Sequence, residues 1–239
     1  MGQTAIDYND VPFGRGAFRM YGKPNDYQYY KFFEDRPKDG SHASRNAWTL
    51  CVNQGVVTIQ RLLKEVWGFD QEISGEYGKG TKRHIAEFQT AHGLSNEGIT
   101  GPWTAQALVK PVIKSTAADL EIKPKYLHAF ASLESGYDPG AQGVSHPTDL
   151  GLWQHNVEDT DTSDVEAFDY QTACTLAGRR FKVALADFAG KGAELQEKCA
   201  IAQHNWPVGA ELWYTNENPP TPEIENYVNL VLARAKAWR

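Results

Sequence analysis

The chain has 239 residues, of which 41% are hydrophobic and 12% aromatic, and its formal net charge is −6. This length is sufficient for one large domain or two modest ones, each with its own core. The acidic balance, with no basic patch, argues against general nucleic-acid binding, and no apolar run is long enough to cross a bilayer. We therefore expect a monomer with no nucleic-acid partner and no stable membrane association.

The charge is divided unevenly along the chain. Residues 1–113 carry 13 Lys and Arg against 12 Asp and Glu, whereas residues 114–239 carry 11 against 18. Such an asymmetry between halves indicates two modules. The three cysteines and seven histidines have none of the spacings of metal ligands, so we expect no metal, no cofactor and no disulfide framework.

Residues 1–54 are rich in aromatic side chains and follow neither a helical nor a strand period, so we predict an irregular N-terminal segment. The opening stretch MGQTAIDYNDVPFGRG has no basic start followed by an apolar run, as a secretory signal would have. We therefore expect the protein to be made in a cytosol and to stay there until something else releases it.

Residues 55–112 have the pattern of a compact unit of three helices. Apolar residues recur at helical spacing in VVTIQRLLKEVWGF. Thr81 can cap a second helix after a glycine-bearing loop, and Pro102 stands where a third helix would begin. The landmarks IQRLL, WGF, SGEYGKGT, FQTAHGL and EGITGPWT occur in an order that resembles the three-helix peptidoglycan-binding domain. This resemblance implies binding of bacterial wall glycan or its stem peptide.

Residues 110–124 are interpreted as a short connection into a second module, residues 113–239. This second module has helical patterns and no convincing strand run. We predict helices at 124–135, about 166–189, 193–205 and 221–238. The expected fold class is therefore mainly α.

One glutamate in the second module stands out by its position. In the helix PKYLHAFASLES, Glu134 falls within about 60° of Leu127 on the apolar stripe, at about 100° per residue. Partial burial would raise the pKa of this carboxyl, as a general acid at neutral pH requires. The alternative is a core glutamate that pairs with an arginine or caps a backbone group, and position alone leaves the two readings open.

Four blocks in the second module, in order, resemble the lysozyme-like lytic transglycosylase domain. They are LESGYDPGA, GLWQ, AIAQHNWP and TPEIENYV. The resemblance implies that Glu134 protonates the glycosidic oxygen between N-acetylmuramic acid and N-acetylglucosamine. It also implies substrate-contacting or orienting roles for a further set of residues: Ser135, Ser145, Trp153, Gln154, His204, Asn205 and Tyr227.

The blocks depart from the family at several positions. Trp153 replaces a methionine and could form a sugar-stacking wall, while His204 replaces a tyrosine, and Asn205-Trp206-Pro207 replaces Asn-x-Gly. Asp149 stands where the family has a small residue. This aspartate opens a second mechanism, because an inverting hydrolase needs a second carboxylate about 6.5–9.5 Å from the first to activate water. A lytic transglycosylase needs only one, and goose-type lysozymes keep acidic residues in these loops.

Modular layout, small size and the lack of a signal peptide together resemble a bacteriophage endolysin. Such an enzyme is made in the host cytoplasm and reaches the cell wall after a holin opens the membrane. We expect a transglycosylase that leaves 1,6-anhydro ends. The alternatives are a hydrolytic muramidase that uses Asp149, a virion-borne lysin, or a non-catalytic wall-binding phage protein.

Overall fold

The computed structural model of the protein describes residues 53–143, 146, 148–158 and 162–238. The predictions for the N-terminal segment fall almost wholly outside these residues, as does Ser145. Within the described ranges the chain is mainly helical, which confirms the predicted fold class. None of these helices combines the length and the hydropathy needed to cross a membrane.

The first unit consists of three helices. They are α1 (53–66, π-helical over Leu62–Val66), α2 (Lys79–Ala91) and α3 (Pro102–Asp119). Two buried glutamines fix the loops between them. Gln60 Oε1 accepts hydrogen bonds from the backbone amides of Ser74 and Gly75, both at 2.9 Å. Gln89 does the same for Gly98, also at 2.9 Å. The glutamines of the two sequence landmarks therefore stabilise the turns of this unit.

Helix α3 runs through most of the segment that was predicted to connect the two modules. It continues to Asp119 with Pro111 inside it, so the interpretation of residues 110–119 as a linker is wrong. The physical reason is burial: Leu108, Val112 and Ile113 are all at most 3% exposed, and together they form a continuous apolar face. The proposed boundary at residue 112 lies within this helix, and the division into modules stays a prediction.

The remaining elements form the second unit. They are α4 (Pro124–Glu134), β1 (Asp149–Leu150), β2 (His155–Asn156), α5 (Asp164–Phe168), α6 (Tyr170–Asp187), α7 (Ala193–Asn205), α8 (Pro207–Asn216) and α9 (Pro222–Lys236). Helix α4 packs against α9 and α3, and α7 packs against α6, α8 and α9. Three of the four predicted helices correspond to α4, α7 and α9. The fourth is divided, because Asp169 ends α5 and caps α6 by accepting a 2.7 Å hydrogen bond from the amide of Thr172.

A short hairpin stands beside the end of α4. Strands β1 and β2 pair antiparallel, with Asp149 opposite Asn156 and Leu150 opposite His155. The connecting turn uses left-handed backbone at Gly151 (φ 74°) and Gln154 (φ 48°). Strands of two residues leave no alternating pattern, so this hairpin could not be predicted from the sequence.

The two units share one core and several polar contacts. The buried apolar cluster extends without interruption from Val56 on α1 to Ala235 on α9. Thr58 Oγ1 donates to the carbonyl of Phe168 at 2.8 Å, and Arg61 on α1 pairs with Asp169 at the start of α6. These contacts fix the position of the first unit relative to the second.

Candidate active site

The end of α4 presents the glutamate singled out above. The eight residues before it, 126–133, are all buried, whereas the Glu134 side chain keeps 20% of its surface exposed. The helix stops there because Gly136 (φ 63°) and Tyr137 (φ 70°) both adopt left-handed backbone. Such a turn exposes the last side chain of a helix without extending the helix.

Ser135 secures this helix end from within the protein. Its hydroxyl is directed to the carbonyls of Ala131 at 3.0 Å and Leu152 at 2.8 Å, and it accepts from the amide of Tyr137 at 3.1 Å. The residue is only 6% exposed. The backbone therefore takes up the Ser135 hydroxyl, so Ser135 can orient Glu134 only through the helix end that it holds.

The Glu134 carboxyl opens into a cleft of about 740 Å³. This cleft collects side chains from the end of α4, the hairpin, α6 and the end of α7. It brings together five of the residues selected from the sequence: Glu134, Asp149, Gln154, His204 and Asn205. Gln154 donates to the carbonyl of Gly151 at 2.9 Å, and Asn205 is exposed.

The surroundings of Glu134 shift the pKa of its carboxyl in opposite directions. Burial raises its pKa to about 7, a hydrogen bond from Tyr227 opposes that rise, and the negative charge of Asp149 adds to it. The Tyr227 hydroxyl donates to Glu134 Oε1 at 2.5 Å. Among the described residues, no Lys or Arg lies within ion-pair distance of the carboxyl. The one basic side chain of the described residues within that distance is His204, whose Nε2 lies 3.9 Å from Glu134 Oε1. The alternative of a core glutamate paired with an arginine is therefore excluded for the described residues.

His204 remains neutral beside this carboxyl. Burial lowers its pKa to about 3, and the charges of His155 and Arg180 act in the same direction. Its ring stacks on Phe130, with centroids 4.3 Å apart and planes 22° from parallel. A neutral imidazole cannot stabilise the carboxylate by charge, so it does not offset the effect of burial on Glu134.

Asp149 lies on β1, on the hairpin side of the cleft. Its Oδ1 accepts a 2.9 Å hydrogen bond from the side-chain Nδ2 of Asn156 on β2, and the Asp149 side chain is 28% exposed. His146 Nδ1 stands 4.0 Å from Asp149 Oδ2. Asn156 was not singled out from the sequence, since only the strand pairing brings it next to Asp149. No group of three His, Cys, Asp or Glu side chains within the described ranges is placed to hold a metal ion.

Trp153 does not form the expected wall of the cleft. It is fully buried, and its indole nitrogen donates to the carbonyl of Leu127 at 3.0 Å. The prediction of a sugar-stacking Trp153 is wrong because this side chain fills the core beneath α4. An exposed indole is found instead at Trp206, which is 37% exposed and lies between Asn205 and Pro207, two residues that line the cleft.

Sequence reasoning also missed two arginines of the cleft. Arg179 and Arg180 on α6 line the same cavity as Glu134. No sequence motif marks these two arginines, because they lie within a long helix. Only the packing of α6 beside α7 brings them to the site. A charged pair on a helix surface is ordinarily a solvated face, so no signal in the sequence could have selected them.

Residues 52–108 match a family described as "Putative peptidoglycan binding domain". The match coincides with α1, α2 and the start of α3, and it ends before α4 and the cleft. No curated protein matches the chain at a significant level. This match supports a peptidoglycan-binding module in the first unit. It also supports peptidoglycan as a partner of the protein and association with the cell wall.

Proposed function

We propose that the protein cleaves the glycan strands of peptidoglycan at the β-1,4 bond between N-acetylmuramic acid and N-acetylglucosamine. The observation that carries this proposal is Glu134: a partly buried carboxyl in a cleft, with its pKa raised to about 7 and no Lys or Arg paired with it in the described chain. Such a group holds a proton at neutral pH and can release it to a leaving oxygen. The wall-binding module would keep the polymer near the cleft.

The two carboxyl oxygens of Glu134 have different tasks in this reaction. Oε1 accepts the hydrogen bond from Tyr227, so Oε2 carries the transferable proton. Transfer of that proton to the glycosidic oxygen breaks the bond from this oxygen to C1 of the muramic residue, and positive charge develops at C1. The C6 hydroxyl of the same sugar then attacks C1 and returns its proton to Glu134. The products are a free N-acetylglucosamine 4-hydroxyl and a 1,6-anhydro end, and no water is consumed.

A hydrolytic muramidase is the second candidate, and Asp149 favours it. This carboxylate lines the same cleft, and its charge is close enough to raise the pKa of Glu134. In a hydrolase Asp149 would take a proton from water as that water attacks C1, and the product would be a reducing muramic end. Transglycosylation remains the first proposal, since it needs only the carboxyl whose protonation the site favours.

The biological setting belongs to the same proposal. A wall-binding module joined to a glycan-cleaving unit fits a bacteriophage endolysin that acts from the host cytoplasm after holin release, or a lysin carried by the virion. A non-catalytic wall-binding protein is the rival outside the enzymes, motivated by the altered stretch at 204–207.

The test compares Glu134→Gln with Glu225→Gln, the same replacement of a carboxyl by an amide at an exposed position of α9. We expect Glu134→Gln to pellet with purified sacculi like the unmodified protein, because its binding module is intact. Release of soluble fragments should fall by at least about 10²-fold, the contribution typical of a general acid. Glu225→Gln should retain full activity. Near-full release by Glu134→Gln would contradict the proposal, and wall binding without release by the unmodified protein would support the adhesin.

A further inference from the structure

The cleft contains a pair of cations whose charge nothing in the described chain neutralises. Arg179 and Arg180 both line it. No Asp or Glu of the described residues is within ion-pair distance of either guanidinium, although residues 114–239 carry 18 carboxylates against 11 Lys and Arg. Two adjacent, uncompensated cations are unexpected on the wall of a cleft in so acidic a half.

Arg180 is held in place by neutral groups. Its Nη1 donates to His155 Nδ1 at 2.9 Å, and its Nη2 reaches Thr162 Oγ1 at 3.4 Å. Because a guanidinium only donates, Nδ1 of His155 is an acceptor, and the ring proton lies on Nε2, which donates to the carbonyl of Ala173 at 2.8 Å. Burial lowers the pKa of this histidine to about 4. The contacts therefore orient the Arg180 guanidinium and leave its positive charge available to a ligand.

A carboxylate of the substrate is the ligand that fits the positive charge of these two arginines. Peptidoglycan carries a free lactyl carboxylate on muramic acid without a peptide. Where a stem peptide is attached, the lactyl carboxyl is an amide and the carboxylates are those of the peptide. Polymers of N-acetylglucosamine are neutral. Guanidinium groups bind carboxylates through paired N–H donors, at close distance and with defined orientation.

We propose that Arg179 and Arg180 form a subsite that binds a carboxylate of the wall polymer while its glycan strand lies beside Glu134. This inference rests on the proposed function for the identity of the polymer. The subsite would select anionic, muramic-acid-containing strands over neutral glycans of the same linkage. It would also set the register of the strand, since the carboxylate and the scissile bond must occupy their sites together.

The test measures binding rather than turnover, so that its outcome does not depend on catalysis. The protein carries Glu134→Gln, and the indole N–H of Trp206 is followed by ¹⁵N NMR, with Trp206→Phe to assign it. This signal reports the cleft rather than the binding module, because Trp206 stands between two cleft residues. Three soluble probes are titrated: peptide-bearing glycan fragments, peptide-free muramic-acid fragments with a free lactyl carboxylate, and neutral N-acetylglucosamine oligomers.

Arg179→Gln and Arg180→Gln are compared with Lys182→Gln, an equal charge change on α6 outside the cleft. We expect each arginine variant to weaken binding of the anionic probes by about tenfold, or about 1.4 kcal/mol, with the neutral oligomer unaffected. Weakening with the peptide-free fragments alone identifies the lactyl carboxylate, and weakening with the peptide-bearing fragments alone identifies the stem peptide. Weakening with both shows that the subsite accepts either carboxylate.

Arg179→Gln keeps the test valid if Arg180→Gln perturbs the fold, because Arg179 is exposed at the surface of α6. Arg179→Lys should recover part of the lost affinity, since it restores the charge. Unchanged binding of both anionic probes, or equal weakening of the neutral oligomer, would overturn the subsite. Loss of glycan cleavage in Glu134→Gln tests the proposed function separately.

Discussion

At the scale of single residues, the proposed cleavage depends on how Glu134 is solvated. Its carboxyl is the last group of a buried helix, and a turn rather than a further helical residue follows it. Burial raises its pKa, the charge of Asp149 raises it further, and the Tyr227 hydroxyl limits the rise. A pKa of about 7 is thus a balance between groups on three separate elements, and each of them can be changed on its own.

Tyr227→Phe should move the pH dependence of cleavage upwards. The lost hydroxyl stabilises the carboxylate, so its removal raises the pKa of Glu134. The acid then stays protonated to higher pH, and we expect the alkaline limb of the kcat profile to shift in that direction. Initial rates on soluble glycan strands between pH 5 and 9 would measure it. An unmoved limb, or a shift to lower pH, would exclude Tyr227 as a modulator of this acid.

Glu134→Gln should make the stability of the protein less sensitive to a rise of pH between about 4.5 and 7. The folded pKa of about 7 exceeds the unfolded value of 4.5, so the unfolded chain loses its proton first as pH rises. The unmodified protein therefore loses stability between about pH 4.5 and pH 7, by about 1.4 kcal/mol per pH unit, and the glutamine variant does not.

Urea unfolding of both proteins at pH 5 and pH 8 measures this difference. We expect the stability of Glu134→Gln relative to the unmodified protein to increase by about 2–3 kcal/mol over that interval. A constant difference would show that the carboxyl is solvated in the folded protein.

The sequence predicted the partly buried position of Glu134 better than the surroundings of this residue. Glu134 could be selected because helical periodicity places it on an apolar stripe, and periodicity is a local property. Trp153 was misassigned because a motif position does not show which way a side chain points. The cleft arginines, Arg179 and Arg180, could not be found because only the packing of α6 brings them to the site.

At the scale of elements, the site depends on a hairpin with only two residues in each strand. Gly151 follows β1 with φ 74°, and a Cβ at this position would lie 2.2 Å from the carbonyl oxygen of Ala167. This backbone group cannot move without shifting α5. The hairpin that carries Asp149 and Gln154 is therefore held against α5 at a point where only glycine fits.

Gly151→Ala should destabilise the protein more than Gly93→Ala. Gly93 has a similar φ of 67°, but nothing lies within 4 Å of its Cβ position. The control should therefore cost about 1–2 kcal/mol, the strain of left-handed backbone alone. Gly151→Ala should cost a further 1–3 kcal/mol from overpacking. Urea unfolding would compare them, and equal costs would mean that the hairpin packs loosely on α5.

Long elements were predictable, and short or interrupted ones were not. The predicted ends of α4, α7 and α9 agree with the structure to within two residues, because long amphipathic patterns are the strongest local signal. Helix α8 was missed because Pro207 was read as a departure from a motif, although proline is favoured at the first position of a helix. The break at Asp169 is set by a side-chain cap that the apolar pattern does not reveal.

At the scale of the whole molecule, the two units are joined more closely than a linker would allow. Helix α3 belongs to the first unit by sequence and packs against α4 and α6 of the second. The Tyr170 hydroxyl on α6 donates to Glu65 on α1 at 2.7 Å, which adds a polar contact to the shared core. The wall-binding module is thus held in a fixed direction relative to the cleft.

We expect residues 53–238 to unfold in one transition. A shared core and a continuous α3 leave neither unit with a complete core of its own. Far-ultraviolet circular dichroism and tryptophan fluorescence should therefore give coincident urea curves. Two separated transitions, or amide exchange that opens α1 and α2 well before α6 and α7, would contradict this expectation.

The proposed activity of the whole molecule is cleavage of glycan strands with Glu134 as the general acid. Mass spectrometry of the soluble products from purified sacculi, digested by the unmodified protein and by Glu134→Gln, tests it most directly. We expect muropeptides with 1,6-anhydro ends from the unmodified protein and essentially none from the variant. Reducing muramic ends would assign the hydrolytic route through Asp149. Glycan fragments released equally by both proteins, or by neither, would contradict the proposed activity.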